Sequence, residues 1–244
     1  PRFDPRPRPA LNRRRDIWSN IGAMEPVLFE AIAAGDIAEV TRLVREDPAR
    51  LHARDASGAS VLLAAAYRMK ADVVSTLVDL GAPIDLFEAA VLGRVDRIAD
   101  ILRTSPERAS EYAPDGFTPV ALAAFFGQSA SATTLIAAGA DVNAAARNPL
   151  KVTALHAAVA GRRLDIVAAV LAAGADANAQ QQAGFRPIHE AANQSNTLLA
   201  ELLLAHGADP TLPDDSGKSA IDVARDKGHA EFAEWLAAQR PAMR

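Results

Sequence analysis

Cysteine is missing altogether from the 244 residues, which removes disulfides, thiolate metal sites and cysteine nucleophiles together. Aromatic residues make up only 5% of the chain although 50% of it is hydrophobic, with alanine supplying much of that half. Such a composition suits thin helices packed closely better than a thick globular interior. No apolar run approaches the roughly 18 residues of a membrane-crossing helix, and no stretch near the start resembles a secretion signal. A soluble chain of cytoplasmic location is therefore the expectation. Basic residues are concentrated at the beginning. Residues 1–23 hold six arginines against two aspartates, a net +4, in a chain of net charge −4, which leaves −8 for the rest. An acidic body of this kind is a poor nucleic-acid platform.

What is present is a short unit that repeats. Within Thr153–Ala179, Leu155 to Ala160 is rich in small residues, and Leu164 to Ala172 places Leu164, Val167 and Leu171 on one helical face. Gly161, Arg162 and Arg163 mark a turn between the two. Gly174 stops the second helix, because glycine enters the left-handed conformation without a Cβ clash. Neither helix is able to bury its stripe alone. Gly-Ala recurs at Gly139, Gly174 and Gly207, and the helix-opening residues Thr118, Thr153, Arg186 and Ser219 follow at spacings of 35, 33 and 33. Self-similarity at such a period marks a stacked array.

Thr153-Ala154-Leu155-His156 and Arg186-Pro187-Ile188-His189 resemble the Thr-Pro-Leu-His signature of the ankyrin repeats. Decayed forms stand at Thr118-Pro119-Val120-Ala121, Ser60-Val61-Leu62-Leu63 and Ser219-Ala220-Ile221-Asp222, and the Gly-Ala-Asp-x-Asn ending is intact at Gly139–Asn143 and Gly174–Asn178. The resemblance implies an all-α ankyrin-repeat solenoid, a bacterial-type array of about seven helix–turn–helix repeats with short β-hairpin fingers.

Taken in order, residues 1–25 read as a disordered, Arg- and Pro-rich leader and residues 26–240 as the repeat domain. Helix pairs are expected at Leu28–Glu46, Ser60–Leu80 and Leu86–Arg103, then from Thr118, Thr153, Arg186 and Ser219. The last pair, with Glu231 and Glu234 beside Phe232, Trp235 and Leu236, suits a half-exposed cap. Capped at both ends, the array reads as complete. Leu86-Phe87-Glu88-Ala89 copies Leu28-Phe29-Glu30-Ala31 at an offset of 58, and Gly35, Pro48, Gly58 and Gly81 have counterparts at Gly93, Pro106, Gly116 and Gly139. A two-repeat block is thus duplicated. The third pair follows Pro83-Ile84-Asp85 with no room for a finger, and the connection Thr104–Asp115 after it has few apolar residues. That region is expected to be the weakest joint.

No chemistry emerges from the motifs. His189-Glu190-Ala191-Ala192-Asn193 lacks the second histidine of a zinc-protease helix. His156 and His189 share a repeat position at which the resemblance implies a ring bonded to neighbouring backbone. Gly217-Lys218-Ser219 ends like a phosphate loop, but Asp214 and Asp215 repel phosphate and the glycine reads as a hairpin tip. His52 and His206 read as surface residues, and no serine is matched with a base and an orienting carboxylate. No enzyme, cofactor or metal site is expected.

What remains is surface. The resemblance implies a monomeric, non-catalytic module that binds a partner protein through a concave face lined by fingers and first helices. Phe117 and Phe185, just before helix-opening residues, either anchor a partner or cover the apolar side of their own hairpins. Leu122 and Glu190 read as the exposed slot after the signature. The finger Ala144–Val152, two residues longer than its successor, carries Arg147 and Lys151, and Lys218 lies at the last tip. The alternatives are an anionic partner or nucleic acid held by the leader, and a regulatory subunit of a partner enzyme.

Overall fold

The computed structural model describes residues 26–239. The leader expected at residues 1–25 lies outside them. The chain divides into two compact units, the first ending at Pro83 and the second beginning at Ile84. Among the described residues the first unit holds α1 (Pro26–Ala34), α2 (Ile37–Glu46), α3 (Val61–Tyr67) and α4 (Ala71–Asp79). The second holds α5 (Leu86–Leu92), α6 (Val95–Thr104), α7 (Pro119–Phe125), α8 (Ser129–Ala137), α9 (Ala154–Gly161), α10 (Leu164–Ala172), α11 (Pro187–Gln194), α12 (Thr197–Ala205), α13 (Ala220–Asp226) and α14 (Ala230–Ala238). Within each unit an odd-numbered helix packs on the even-numbered one that follows it. Odd helices also pack on odd ones, as α7 on α9, and even on even, as α8 on α10. The architecture is an all-α repeat in two layers. No helix among the described residues is long and apolar enough to cross a membrane.

The recurring helix openers act as caps. Ser60, Thr118, Thr153 and Ser219 hold extended backbone, and each hydroxyl accepts the amide three residues on, at 3.2, 3.3, 3.5 and 3.2 Å. Each satisfies a donor that the first turn would leave orphaned. The helices then bury small and branched residues on one side. In α9 everything from Ala154 to Val159 is buried, and in α10 Ile166, Val167, Val170 and Leu171 are. Leu164, expected on the same stripe, is only half-buried. The 58-residue duplication is geometric as well as textual. The boundaries of α2, α3 and α4 recur in α6, α7 and α8, and the 3₁₀ turn Pro48–His52 recurs as Pro106–Ser110.

One local expectation needs correction. No β-strand is present among the described residues, and the first unit has one isolated bridge, Arg54 to Ser60. The loops are too short for consecutive rungs, so each closes on one or two bonds. Within the turn expected at Gly161, Arg162 and Arg163, the left-handed residue is Arg162 (φ 58°). Gly161 is needed for closeness: a Cβ there would lie 2.9 Å from the Phe125 carbonyl oxygen of α7. The boundary between the two units, Pro83 to Ile84, falls in the region expected to be the weakest joint, and the connection after α6 has ties of its own. Ala109 is buried, and Arg108 bonds both Asp85 and Glu111.

Candidate partner-binding surface

The loops of the second unit are built alike. Each closes by an amide-to-carbonyl bond: Ala113 to Phe117 at 2.8 Å, Gln181 to Phe185 at 2.9 Å and Asp214 to Lys218 at 2.9 Å. The loop before α9 closes from Ala146 to Val152 at 2.9 Å, two residues wider. Neighbouring loops are then bonded to one another. Arg147 donates its amide to the Gly116 carbonyl (2.8 Å), Gln182 to Leu150 (2.9 Å) and Asp215 to Ala183 (3.0 Å). The Asn148 side chain adds a bond to the Asp115 carbonyl at 2.9 Å. Glycine is required at two of these crossings. At Gly116 (φ 89°) a Cβ would sit 2.9 Å from the Arg147 carbonyl carbon, and at Gly184 (φ 69°) 2.7 Å from the Asp215 amide nitrogen.

A second row of bonds explains the Gly-Ala-Asp-x-Asn endings. Asn143 donates to the Gly174 carbonyl (2.9 Å) and accepts the Asp176 amide (2.8 Å). Asn178 does the same with Gly207 and Asp209, at 2.8 and 2.8 Å. One carboxamide has a donor and an acceptor to meet two backbone groups of the next repeat, whereas aspartate has no donor. Two rows of bonds thus link each loop of this unit to its neighbours.

The expected site residues divide against this frame. Leu122 is 1% exposed and Phe117 5%. Leu122 faces the interior because its helix turns that side onto neighbouring odd helices, and Phe117 lies inward as the residue that closes its loop. The reading of Leu122 as an exposed slot is thus corrected, and Phe117 is buried rather than open to a partner. Phe185 is half-buried with its ring 5.0 Å from that of His189. Glu190 is half-buried and accepts from Gln194 at 2.6 Å. Arg147 is exposed, with its guanidinium carbon 3.8 Å from the Tyr112 ring centroid. Lys151 is exposed in left-handed backbone (φ 52°). Lys218 is exposed and pairs with Asp226, which raises the pKa of its ammonium. Sequence reasoning missed the asparagine rows, although the repeated Asn was their visible signal.

The histidines are structural in geometry. His189 Nδ1 accepts the Arg186 amide at 3.2 Å, which leaves Nε2 as the donor to the Lys218 carbonyl at 3.1 Å. His156 Nδ1 lies 2.9 Å from Thr153 Oγ1. Burial pushes the His156 pKa down to about 4, opposed by the nearby Phe185 and Ala179 carbonyls. His52 and His206 are exposed. Among the described residues no group of three His, Asp or Glu side chains converges as a metal site.

Similarity to known proteins follows the repeats. Over 83 residues, 34% of this chain, it is 45% identical to human ARF GTPase-activating protein GIT1. Over 72 residues (30%) it is 43% identical to human BCL-6 corepressor-like protein 1, and over 74 residues (30%) 38% identical to putative E3 ubiquitin-protein ligase XBAT34 of Arabidopsis thaliana. The matches span only 11%, 4% and 20% of those proteins, all three eukaryotic. The family model for ankyrin repeats in three copies matches residues 86–181 and 155–242, together more than half of the sequence. With the repeated caps, two helical layers and asparagine rows in place, this chain belongs to the ankyrin-repeat family.

Proposed function

We propose that the chain is a non-catalytic protein-recognition module, and that it engages a partner protein with its loop tips and the exposed faces of its odd-numbered helices. The observation that carries this reading is the loop row. Backbone bonds register the loops, while Arg147, Lys151, Glu190 and Lys218 keep side chains at the surface. Binding by a surface ordered in advance forfeits less conformational entropy than binding by free loops. The relatives support the same reading. Their names denote a GTPase-activating protein, a corepressor-like protein and a putative ubiquitin ligase, three unlike roles, while the similarity covers 30–34% of this chain. A segment common to such different proteins serves recognition more naturally than any one reaction.

The finer reading is a monomeric, cytoplasmic array of seven repeats over residues 26–240, with the loops as fingers and residues 1–25 as a leader. The test is capture on immobilised full-length chain, identification of the retained protein, and titration of that protein against surface variants. Substitution of Phe185, Glu190 and Lys218 together is expected to weaken binding at least tenfold, in line with a few anchors dominating an interface. If those changes have no effect while Leu198→Glu, on exposed α12 surface, abolishes binding, the face has been assigned wrongly.

A further inference from the structure

The finger before α9, together with α9 and its turn, forms a positive island. From Ala144 to Arg163 the chain has Arg147, Lys151, Arg162 and Arg163 and no Asp or Glu, although everything after residue 23 sums to −8. Arg163 is used locally, 3.1 Å from Asp165 and 3.2 Å from Ser129 Oγ. Arg147, Lys151 and Arg162 are exposed, and none makes an ion pair among the described residues. Lys151 and Arg162 are two of five non-glycine residues with left-handed backbone among the described residues (φ 52° and 58°), one near each end of α9. Between them the exposed side of α9 is low, since Ala157 is buried and only Ala160 and Gly161 are partly accessible. The Phe125 carbonyl at the end of α7 lies against Gly161, and the half-buried rings of Phe125 and Phe126 meet edge to face there.

We propose that this island binds an acidic, extended segment of a partner protein. The inference rests on the recognition reading and names its partner's chemistry. One carboxylate meets Arg147 and Lys151, and another meets Arg162 beyond an eight-residue helix that is itself roughly 12 Å long. About four residues of extended chain span that distance. Small side chains in between suit the Ala160–Gly161 surface, which leaves no depth for large ones. The island is one repeat wide, because Asp115 stands in the loop before it and Asp214 and Asp215 two loops after it. A nucleic acid, whose charges continue past the island, meets those carboxylates, whereas a short acidic stretch does not.

The experiment is fluorescence anisotropy with the full chain at about 50 mM salt, where screening is weak. The probes are a nine-residue alternating Glu/Ala peptide, its Gln/Ala counterpart and a twelve-nucleotide single-stranded DNA. The Glu peptide is expected to bind at least tenfold tighter than the Gln peptide. Arg147→Glu with Lys151→Glu should weaken it at least tenfold, and Arg162→Gly several-fold while relieving left-handed backbone. Arg45→Glu, on exposed α2 surface, should leave it unchanged. Equal binding of both peptides, an Arg45→Glu loss as large as that of the double variant, or tighter binding of the DNA would each overturn the proposal. If a captured partner is lost on changing Phe185, Glu190 and Lys218 but not Arg147 and Lys151, this inference falls and the recognition reading stands.

Discussion

Arg108 grips Asp85 with both arms of its guanidinium, at 3.0 and 2.8 Å, across 23 positions of sequence. The same Asp85 opens α5, and its amide donates to Glu88 at 3.1 Å. The guanidinium holds the Asp85 carboxyl below the usual carboxylate range. A stretch with few apolar residues is therefore fastened by charge as well as by its buried alanines.

Replacing Arg108 with Ala should lower the stability of the second unit by about 1 kcal/mol, a modest figure because Asp85 is half-exposed and solvent screens the pair. In native-state hydrogen exchange, amides of Leu86–Leu102 should speed up while those of Leu155–Leu171 do not change. The Asp85 share of stability is present above the ordinary carboxylate pKa and is lost as pH falls through its depressed folded value. Arg108→Ala should accordingly matter less in strong acid than at pH 7.

His156 sets a separate pH window. Its folded pKa of about 4 lies below the ordinary 6.5, so the unfolded chain takes up the proton first. Stability falls as pH drops from about 6.5 to 4, by roughly 3 kcal/mol in total. Denaturant melts of wild type and His156→Gln from pH 7 to 4 check this. The variant should start lower and lose less over that interval.

Left-handed positions offer a paired test of backbone strain. Ser195 has φ 51° after α11, where glycine avoids the Cβ clash. Ser195→Gly should raise stability by about 0.5 kcal/mol. Gly116→Ala should do the reverse and cost at least about 1 kcal/mol, because the new Cβ strikes the Arg147 backbone as well as forcing φ 89°. Thermal melts of the two variants should shift in opposite directions.

Much of this fold was legible from spacing. Thr118, Thr153 and Ser219 gave the helix starts because a cap is a local device, read from one side chain and the next three amides. The 58-residue offset gave the boundaries of α6, α7 and α8 because equal segments fold alike. The site was less legible. Leu122 and Phe117 looked available from their sequence neighbours, but burial is decided by which helix packs alongside, and that is not local. Gly161 stands in the expected turn, but its lack of a side chain also serves an approach to α7 some 36 positions upstream at Phe125.

The asparagine rungs should carry measurable energy. Asn178→Ala removes a donor to Gly207 and an acceptor for Asp209 together. A loss of about 1 kcal/mol is expected, since the backbone groups left behind are partly wet. Asn178→Asp keeps the acceptor only and should fall between Ala and wild type in urea midpoint at pH 7.

Recognition by a surface set before binding requires the loop row to be closed in the free protein. Amide hydrogen exchange of Arg147, Gln182 and Asp215 in the unbound chain measures that directly. These three amides donate from one loop to the next, and should exchange at least about a hundredfold more slowly than an unstructured peptide of the same sequence. Exchange of all three at unprotected rates would mean that the loops are free until a partner arrives, contradicting the account.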